Sequence, residues 1–498
     1  MEGVLGEFVE ISKLMYLTIP TQLLICMPFV ISNFLAGHYS TQDFDIVGMS
    51  LSVIYSVALS PIFGLSSAAE TLLSQTNGSE HRNSLGIVIQ RCSWLGFNLC
   101  FLVSSVLVHA GFLLKLFRQD AALTHKCQEF ILVALPCLFL CSMLSIQIKY
   151  LQCQKIVKCI VPIGIIANVL HVGYGILFTF VMGLGAKGIC VALSATFLSW
   201  NMILFVYIKY SGSHQSTWTG FSMQSLDNWN EHLSIAAPNA FMSGLETSCF
   251  EIYTLLVGLI GAVELSAYLI LNNIFSLLFN VAGGALTAGT IQIGNYLGSG
   301  NHEQAKIAAI ATVYVSVGLP LVYVSILLTM HKVIPSIFTK DKLVISMAKP
   351  FIVVVSVVQF FDGIAIISSG TIRACGKQLF LAVIDIVVFG VIGIPLSIFL
   401  MFWTPLKVYG ALISLTIVLI VVCSCIFLRT YFINWQQEAT NAIRKTEIDS
   451  VTQLTADDQD EMHPILPLNS SRSYVLIIVK IFLCPLIFIT SLLTSIMI

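Results

Sequence analysis

The sequence predicts an all-α polytopic membrane protein: two six-helix lobes related by a parallel pseudo-two-fold repeat, followed by a thirteenth C-terminal transmembrane helix. Three observations carry this expectation. Of 498 residues, 57% are hydrophobic and 10% charged, whereas a soluble chain carries roughly a quarter charged residues. The apolar residues fall in runs long enough to cross a bilayer. Short motifs recur at an offset of 220–222 residues.

Such an apolar excess cannot be buried in one or two soluble cores, because a folded surface must stay largely polar. Soluble enzymes and disordered scaffolds are excluded on this ground. A net charge of −1 lacks the basic face that a nucleic-acid partner requires. The apolar stretches are continuous rather than alternating, which argues against an outer-membrane barrel. Most of the 14 cysteines, Cys26, Cys100, Cys137 and Cys141 among them, lie inside apolar runs, where a thiol packs as a small hydrophobe. With no CxxC pair and no Cys/His group at zinc spacing, neither a disulfide framework nor a metal site is expected. The acidic start, Met1 to Glu10, lacks the basic region of a signal peptide, so the first apolar run is expected to stay as a span.

A membrane helix needs about 20 mostly apolar residues. Spans of that kind fall near 14–36, 46–69, 86–114, 128–149, 156–182 and 188–208, then near 234–260, 263–287, 306–330, 347–370, 378–402 and 408–430, with a last run at 474–496. They divide the chain into an N-terminal lobe (1–210), a cytoplasmic linker (211–232), a C-terminal lobe (233–431), a polar cytoplasmic tail (432–472) and the thirteenth helix (473–498). The tail holds seven acids against three bases and is expected to be disordered. The Lys/Arg bias, carried largely by Arg91, Lys149, Lys155 and Lys158, puts the N-terminus in the cytoplasm. An odd number of spans then puts the C-terminus outside.

Gly64 and Gly284, Gln75 and Asn295, and Gly78 and Gly298 are each 220 apart; Asp120 and Asp341 are 221 apart; Gly188 and Gly410 are 222 apart. Their common order points to two six-helix halves. Because six is even, both halves enter the membrane from one side, the parallel arrangement of one class of secondary transporter.

An ionisable residue inside a span is a functional hypothesis by default, since its insertion costs on the order of 2.5–3.5 kcal/mol. Glu70, Glu246, Glu251, Asp362 and Asp385 qualify, with Glu264 at the entrance to span eight. No Lys or Arg is expected in the same zones to neutralise them. Desolvation penalises the charged form of a carboxyl group, so such a group can take a proton on one side and release it on the other. A bound cation favours the ionised form and competes with that proton. Glu251, five residues after Glu246, points about 140° away around the helix, toward coupling or an inter-helix hydrogen bond. Glu70 lies toward the cytoplasmic end of its span, where gating or packing competes with proton binding. Glu264 has a solvated, interfacial alternative, and a local hydrogen bond is the preferred reading of Asp385. Phe250, Tyr253 and Tyr268, on spans seven and eight, suit cation–π contact, although membrane aromatics more often pack or face lipid. An unperturbed imidazole titrates near the right range to carry protons, which makes His171 a candidate; a packed neutral histidine is the commoner arrangement. His109 and His171 stand isolated, and without an HExxH or GxSxG run an intramembrane enzyme is not expected.

The chain also resembles the multidrug and toxin extrusion (MATE) transporters, closest to their animal branch, over nearly its whole length. The resemblance rests on Gly37-His38, Gly64 to Glu70 with Ser74-Gln75, Phe117 to Asp120, Lys149-Tyr150-Leu151, Trp218 to Trp229, Pro238 to Glu251, Glu264-Leu265, Gly294 to Gly300 with Glu303-Gln304-Ala305, and Arg373 to Gly376. It implies proton-coupled antiport of small organic cations by alternating access, with coupling carboxylates mainly in the second half. Glu246 matches the family's key glutamate after Pro238; Asp362 stands where close members carry glutamate; Glu264 matches an acidic position; Asp385 replaces a neutral amide. Thr247 and Ser248 stand where close vertebrate relatives have two tryptophans. Asn168 is kept, but His171 and Gly175 replace asparagines. These departures imply a divergent member with a narrower or different substrate range. The expected coupling residues are Glu246, Asp362, Glu251, Glu264 and Glu70, with Phe250, Tyr253, Tyr268, Asn168 and His171 lining the substrate cavity. No cofactor is expected beyond protons as coupling ion, and the expected form is a monomer in the cell membrane. A lipid or lipid-linked sugar flippase is the alternative, but it would need basic residues to meet phosphate.

Both sequons, Asn77-Gly-Ser79 and Asn469-Ser-Ser471, fall on segments predicted to be cytoplasmic. Treating the protein expressed in a glycosylating cell with an N-glycosidase is therefore expected to leave its electrophoretic mobility unchanged. A shift that disappears in Asn77→Gln would reverse the predicted topology.

Overall fold

Hydrocarbon offers no partner to backbone N–H and C=O groups, so an apolar run that crosses it must coil and bond to itself. A computed structural model describes residues 2–116, 120–218, 220–227, 229–460, 484, 485 and 487–491. In chain order the helices are α1 (Glu2–Tyr39), α2 (Thr41–Ile54), α3 (Ser60–Gly78), α4 (Leu85–Leu107), α5 (Ala110–Leu116), α6 (Ala121–Cys153), α7 (Ile160–Gly175), α8 (Ala186–Tyr210) and α9 (Trp229–Gly258). There follow α10 (Ala262–Gly298), α11 (His302–Met330), α12 (Ile334–Phe338), α13 (Lys342–Ala374), α14 (Gln378–Asp385), α15 (Ile394–Phe402), α16 (Val408–Tyr431) and α17 (Trp435–Asp460). Wider π-turns at Tyr55–Leu59, Ile176–Val181 and Ile386–Gly393 lie inside continuous spans. Among the described residues, 11 helices are long and apolar enough to cross a membrane. The 30-residue α9 is not one of them, because Glu246 and Glu251 dilute its apolar character. The expected thirteenth span lies largely outside the described residues, as do the second sequon and the end of the polar tail.

The chain forms two compact units. One comprises Met1–Leu23 with Phe241–Thr440, the other Leu24–Ala240 with Asn441–Ile498. Relative to contiguous lobes, the first part of α1 and the first part of α9 are therefore exchanged. Hydrogen bonds explain both assignments. Thr18 Oγ1 donates to the Gly284 carbonyl of α10 at 2.7 Å, and the Asn239 side chain donates to the Gly64 carbonyl of α3 at 2.8 Å. Gly284 allows the approach: a Cβ there would meet the Ile19 Cα at 2.5 Å. Glu7 of α1, buried, also accepts hydrogen bonds from Gln292 at 2.8 Å and from the Tyr296 hydroxyl at 2.7 Å.

In the first unit α13 packs against α10, α11 and α16; in the second α6 packs against α3, α4 and α8. The two units share backbone details at the offset found in the sequence. Asp120 and Asp341 cap the N-termini of α6 and α13, accepting from backbone N–H groups. The same helices end alike: Lys155 and Gly376 adopt φ of 61° and 74°, while Ile156 N–H reaches Leu151 O at 2.9 Å and Lys377 N–H reaches Ile372 O at 3.2 Å, the Schellman arrangement. Gly185 and Lys407 precede α8 and α16 with φ of 55° and 48°. A Cβ on Gly188 would come within 2.6 Å of the Phe178 carbonyl oxygen, and one on Gly410 within 2.6 Å of the Leu400 carbonyl carbon.

The polar tail begins differently from expectation. Instead of disorder, α17 runs from Trp435 to Asp460. It buries Glu438, Ala439, Ala442 and Thr446, a helical stripe too small and polar to register as apolar. Glu438, itself buried, is held in an ion pair with the half-buried Lys377. The linker is likewise tied down: Gln90 donates to the Gly220 carbonyl and accepts from Ser222 N–H, at 2.8 and 3.0 Å.

Adjacent glycines of α10 separate packing from helix propensity. Nothing lies within 4 Å of a Cβ at Gly283, so Gly283→Ala is expected to hold or raise thermal stability in detergent, by up to about 1 kcal/mol. Gly284→Ala drives a methyl group into the α1 backbone and is expected to cost about 1–3 kcal/mol. Equal melting temperatures for the two variants would contradict this packing.

Candidate functional site

The acids expected inside the membrane separate into two chemical situations. Glu70, buried on α3, forms an ion pair with Lys149 of α6, itself buried. The expectation that no base neutralises these acids fails here. Lys149 lies in the last turns of α6, where the polar end of a long apolar helix can hold a base whose partner arrives from α3. Buried charges persist when they are paired, and this pair is complete.

The other unit holds Glu246 on α9, Asp362 on α13 and Asp385 at the end of α14. Asp362 is buried, while Glu246 and Asp385 are half-buried. Contacts one and two turns further along fix the register of α9 and α14. Phe250 and Phe389, each four residues beyond a carboxylate, have ring centroids 6.5 Å apart. At the next turn the Tyr253 hydroxyl lies 3.1 Å from where a Cβ on Gly393 would stand. The two segments therefore run the same way, and Glu246 and Asp385 share one level. Glu246 interacts electrostatically with Asp362 and Asp385, and Arg373 of α13 acts on Glu246 and Asp385. None of the three acids takes part in a hydrogen bond or ion pair among the described residues.

Packing fixes the upper part of this site. Phe250 also packs on Phe275 of α10, with centroids 6.0 Å apart. The Tyr253 and Ser414 hydroxyls are 3.1 Å apart, and Ser414 donates to the Gly393 carbonyl at 3.4 Å. This bond satisfies a carbonyl in the π-turn, where the regular ladder is broken. Tyr268 is fully buried, and its hydroxyl has no hydrogen-bond partner among the described residues. Thr247 and Ser248 bond back to the carbonyls of Ser243 and Gly244 in their own helix, so small, internally satisfied side chains flank Glu246. Glu251 is half-buried on another face of α9. Glu264 sits in the first turn of α10, folded over Gly261, where a carboxylate favours the helix dipole.

Asn168 and His171 belong to the other unit, one turn apart on α7. Asn168 donates to the carbonyls of Leu24 and Gly164, at 3.1 and 2.8 Å. His171 is fully buried, with Nε2 3.1 Å from Ser32 Oγ and Nδ1 2.8 Å from Thr196 Oγ1. Thr196 spends its own hydrogen on the Ala192 carbonyl, so Nδ1 donates and Nε2 accepts. A neutral ring satisfies every partner.

The structure thus gathers Glu246, Asp362, Phe250 and Tyr253 with Asp385, which sequence reasoning set aside as a local hydrogen bond. Only the recurrence of aromatic residues four positions beyond both Glu246 and Asp385 could have linked them. Glu7 also escaped notice, since an acid near a terminus reads as solvated.

Comparisons with known proteins agree with this architecture. The MatE family model matches residues 18–177 and 238–399. The human multidrug and toxin extrusion protein 1 is 30% identical over 467 residues, covering 92% of this chain and 82% of that protein. Mouse multidrug and toxin extrusion protein 2 is 30% identical over 445 residues, covering 88% and 77%. Among solved structures, the eukaryotic MATE transporter AtDTX14 superposes with a TM-score of 0.85 at 24% identity, covering 89% of this chain and 100% of that one.

Removing one partner of a buried ion pair strands the other charge. Lys149→Met is expected to cost about 3–5 kcal/mol of stability in detergent, with much of the loss recovered in Glu70→Gln/Lys149→Met. Additive effects in this double-mutant cycle would show that the two charges act independently.

Proposed function

Because the chain belongs to the MatE family and is a transporter rather than an enzyme, we propose that it exports small organic cations in exchange for protons, with Glu246 as the principal coupling carboxylate. The observation that carries this reading is the unpaired state of Glu246 beside Asp362 and Asp385, in a helix otherwise built to lie in hydrocarbon. In the proposed cycle, the ionised Glu246 attracts a cation from the cytoplasmic side. After the site turns outward, a proton bonds to the carboxylate, the cation leaves, and the proton is released to the cytoplasm on return. Proton and cation compete for one negative charge, so neither crosses without the other. Asp362 strengthens the local field, and Phe250 and Tyr253 offer aromatic surface to a cation.

Alternating access would use two six-helix lobes with a thirteenth helix, in a monomer of the cell membrane with a cytoplasmic N-terminus and no resident cofactor. The recurring caps and glycine contacts support two related halves, as do two matches to one family model that start 220 residues apart. The carboxylate-lined site disfavours the flippase alternative, which would have to bind phosphate.

Purified protein in proteoliposomes is expected to take up a cationic dye when an outward-directed proton gradient is imposed. Glu246→Gln is expected to reduce that uptake at least tenfold while preserving the monodisperse, folded protein. Full gradient-driven uptake by the variant would remove Glu246 from the coupling role.

A further inference from the structure

Asp385 stands across from Glu246 at one level of two parallel segments, fixed by the Phe250–Phe389 contact one turn on and the Tyr253–Gly393 approach at the next. It is the last residue of α14 before the π-turn Ile386–Gly393. A π-turn carries an extra residue, which re-aims the side chains flanking it. On α13, Gln359 precedes Asp362 by one turn on the same helix face. It is 1% exposed, and neither its amide nitrogen nor its amide oxygen has a hydrogen-bond partner among the described residues. A buried amide left open at both ends indicates a place for a polar occupant.

The charge count around that place is unusual for a site that takes a single positive charge. Arg373 acts on Glu246 and Asp385, and among these groups Asp362 interacts with Glu246 alone, so three carboxylates and one guanidinium leave two negative charges to be matched when all groups are ionised. A monocation satisfies one of these and leaves a second carboxylate to be neutralised by a proton. An organic dication satisfies both, one centre between Glu246 and Asp385 and the other toward Asp362. Thr247 and Ser248, which follow Glu246, are small and spend their hydroxyl groups on carbonyls of their own helix, so neither competes for a cationic group at Glu246.

We propose that Asp385 is a specificity-determining residue, and that the site it forms with Glu246 and Asp362 prefers organic dications to monocations. This rests on the antiport reading above and narrows its substrate class.

The test uses the full chain in proteoliposomes with an imposed proton gradient and two permanently charged probes, tetraethylammonium and hexamethonium, neither of which can lose its charge by deprotonation. In the wild type, kcat/KM for hexamethonium is expected to exceed that for tetraethylammonium at least tenfold. Asp385→Asn is expected to bring that ratio down at least tenfold, and Asp385→Glu to retain most of it. Uptake of tetraethylammonium without preference for hexamethonium would leave antiport standing and overturn the dication assignment. An unchanged ratio in Asp385→Asn would overturn the role of Asp385. Absence of gradient-driven uptake of both probes in the wild type would instead remove the antiport reading itself. The wild-type preference needs no substitution, so misfolding of a variant cannot shield the proposal.

Discussion

A carboxyl group inside a bilayer has three ways to exist: paired with a base, protonated, or neutralised by something that comes and goes. This constraint organises the protein more than any single packing contact. Glu70 takes the first way, through Lys149, and becomes a fixed part of the bond network joining α3 to α6. Glu246, Asp362 and Asp385 have no such partner among the described residues. Their nearest base is Arg373, which acts on Glu246 and Asp385 without forming an ion pair with either, and an acid left ionised without a partner is costly in apolar surroundings; the proposed exchange between a proton and a cation would meet that cost.

The same backbone carries both solutions. At the offset of 220–221 residues, Glu70 and Lys149 correspond to Thr290 and Gly370, which also meet: Thr290 Oγ1 lies 3.4 Å from the Gly370 carbonyl. An ion pair in one unit is a hydroxyl–carbonyl contact in the other, between helices packed alike. The converse holds for the unpaired acids. Counting back by 220–222 from Glu246, Asp362 and Asp385 reaches 24–26, 140–142 and 163–165, where no carboxylate stands. Caps, helix ends and glycine approaches are shared, while Glu246, Asp362 and Asp385 all belong to one unit.

The fold was legible in the sequence where chemistry is local. Long apolar runs, the capping residues Asp120 and Asp341, and the glycines at 188 and 410 announce themselves by type and spacing. What could not be read was which segment joins which bundle. The division of α1 after Leu23 and of α9 after Ala240 depends on Thr18 and Asn239 each finding one glycine carbonyl far away in the chain, and a hydroxyl or amide in an apolar run does not name its acceptor. α17 was missed because its buried stripe is Ala, Ala and Thr around a paired Glu438, so averaging along the chain registers only its acids. In the site, Glu246 and Asp362 stood out by the cost of their position, whereas the role of Asp385 depends on register. Two helices must be aligned through Phe250 and Phe389 before the level of the two acids can be seen.

The π-turns follow a related logic. Two of them, at Ile176–Val181 and Ile386–Gly393, lie in spans that correspond to each other in order, and the next span after each carries in its first turn a glycine, Gly188 or Gly410, pressed against the preceding span. A π-turn leaves carbonyls without their usual partners, a cost in hydrocarbon that must be met from outside the helix. In one unit Ser414 meets it at Gly393, while also lying beside the Tyr253 hydroxyl. The irregular segment is thereby connected to α9, the helix that carries Glu246. Glu246 thus stands on a helix joined through Tyr253 and Ser414 to the least regular part of the neighbouring span, and Asp385 stands at the near end of that irregularity.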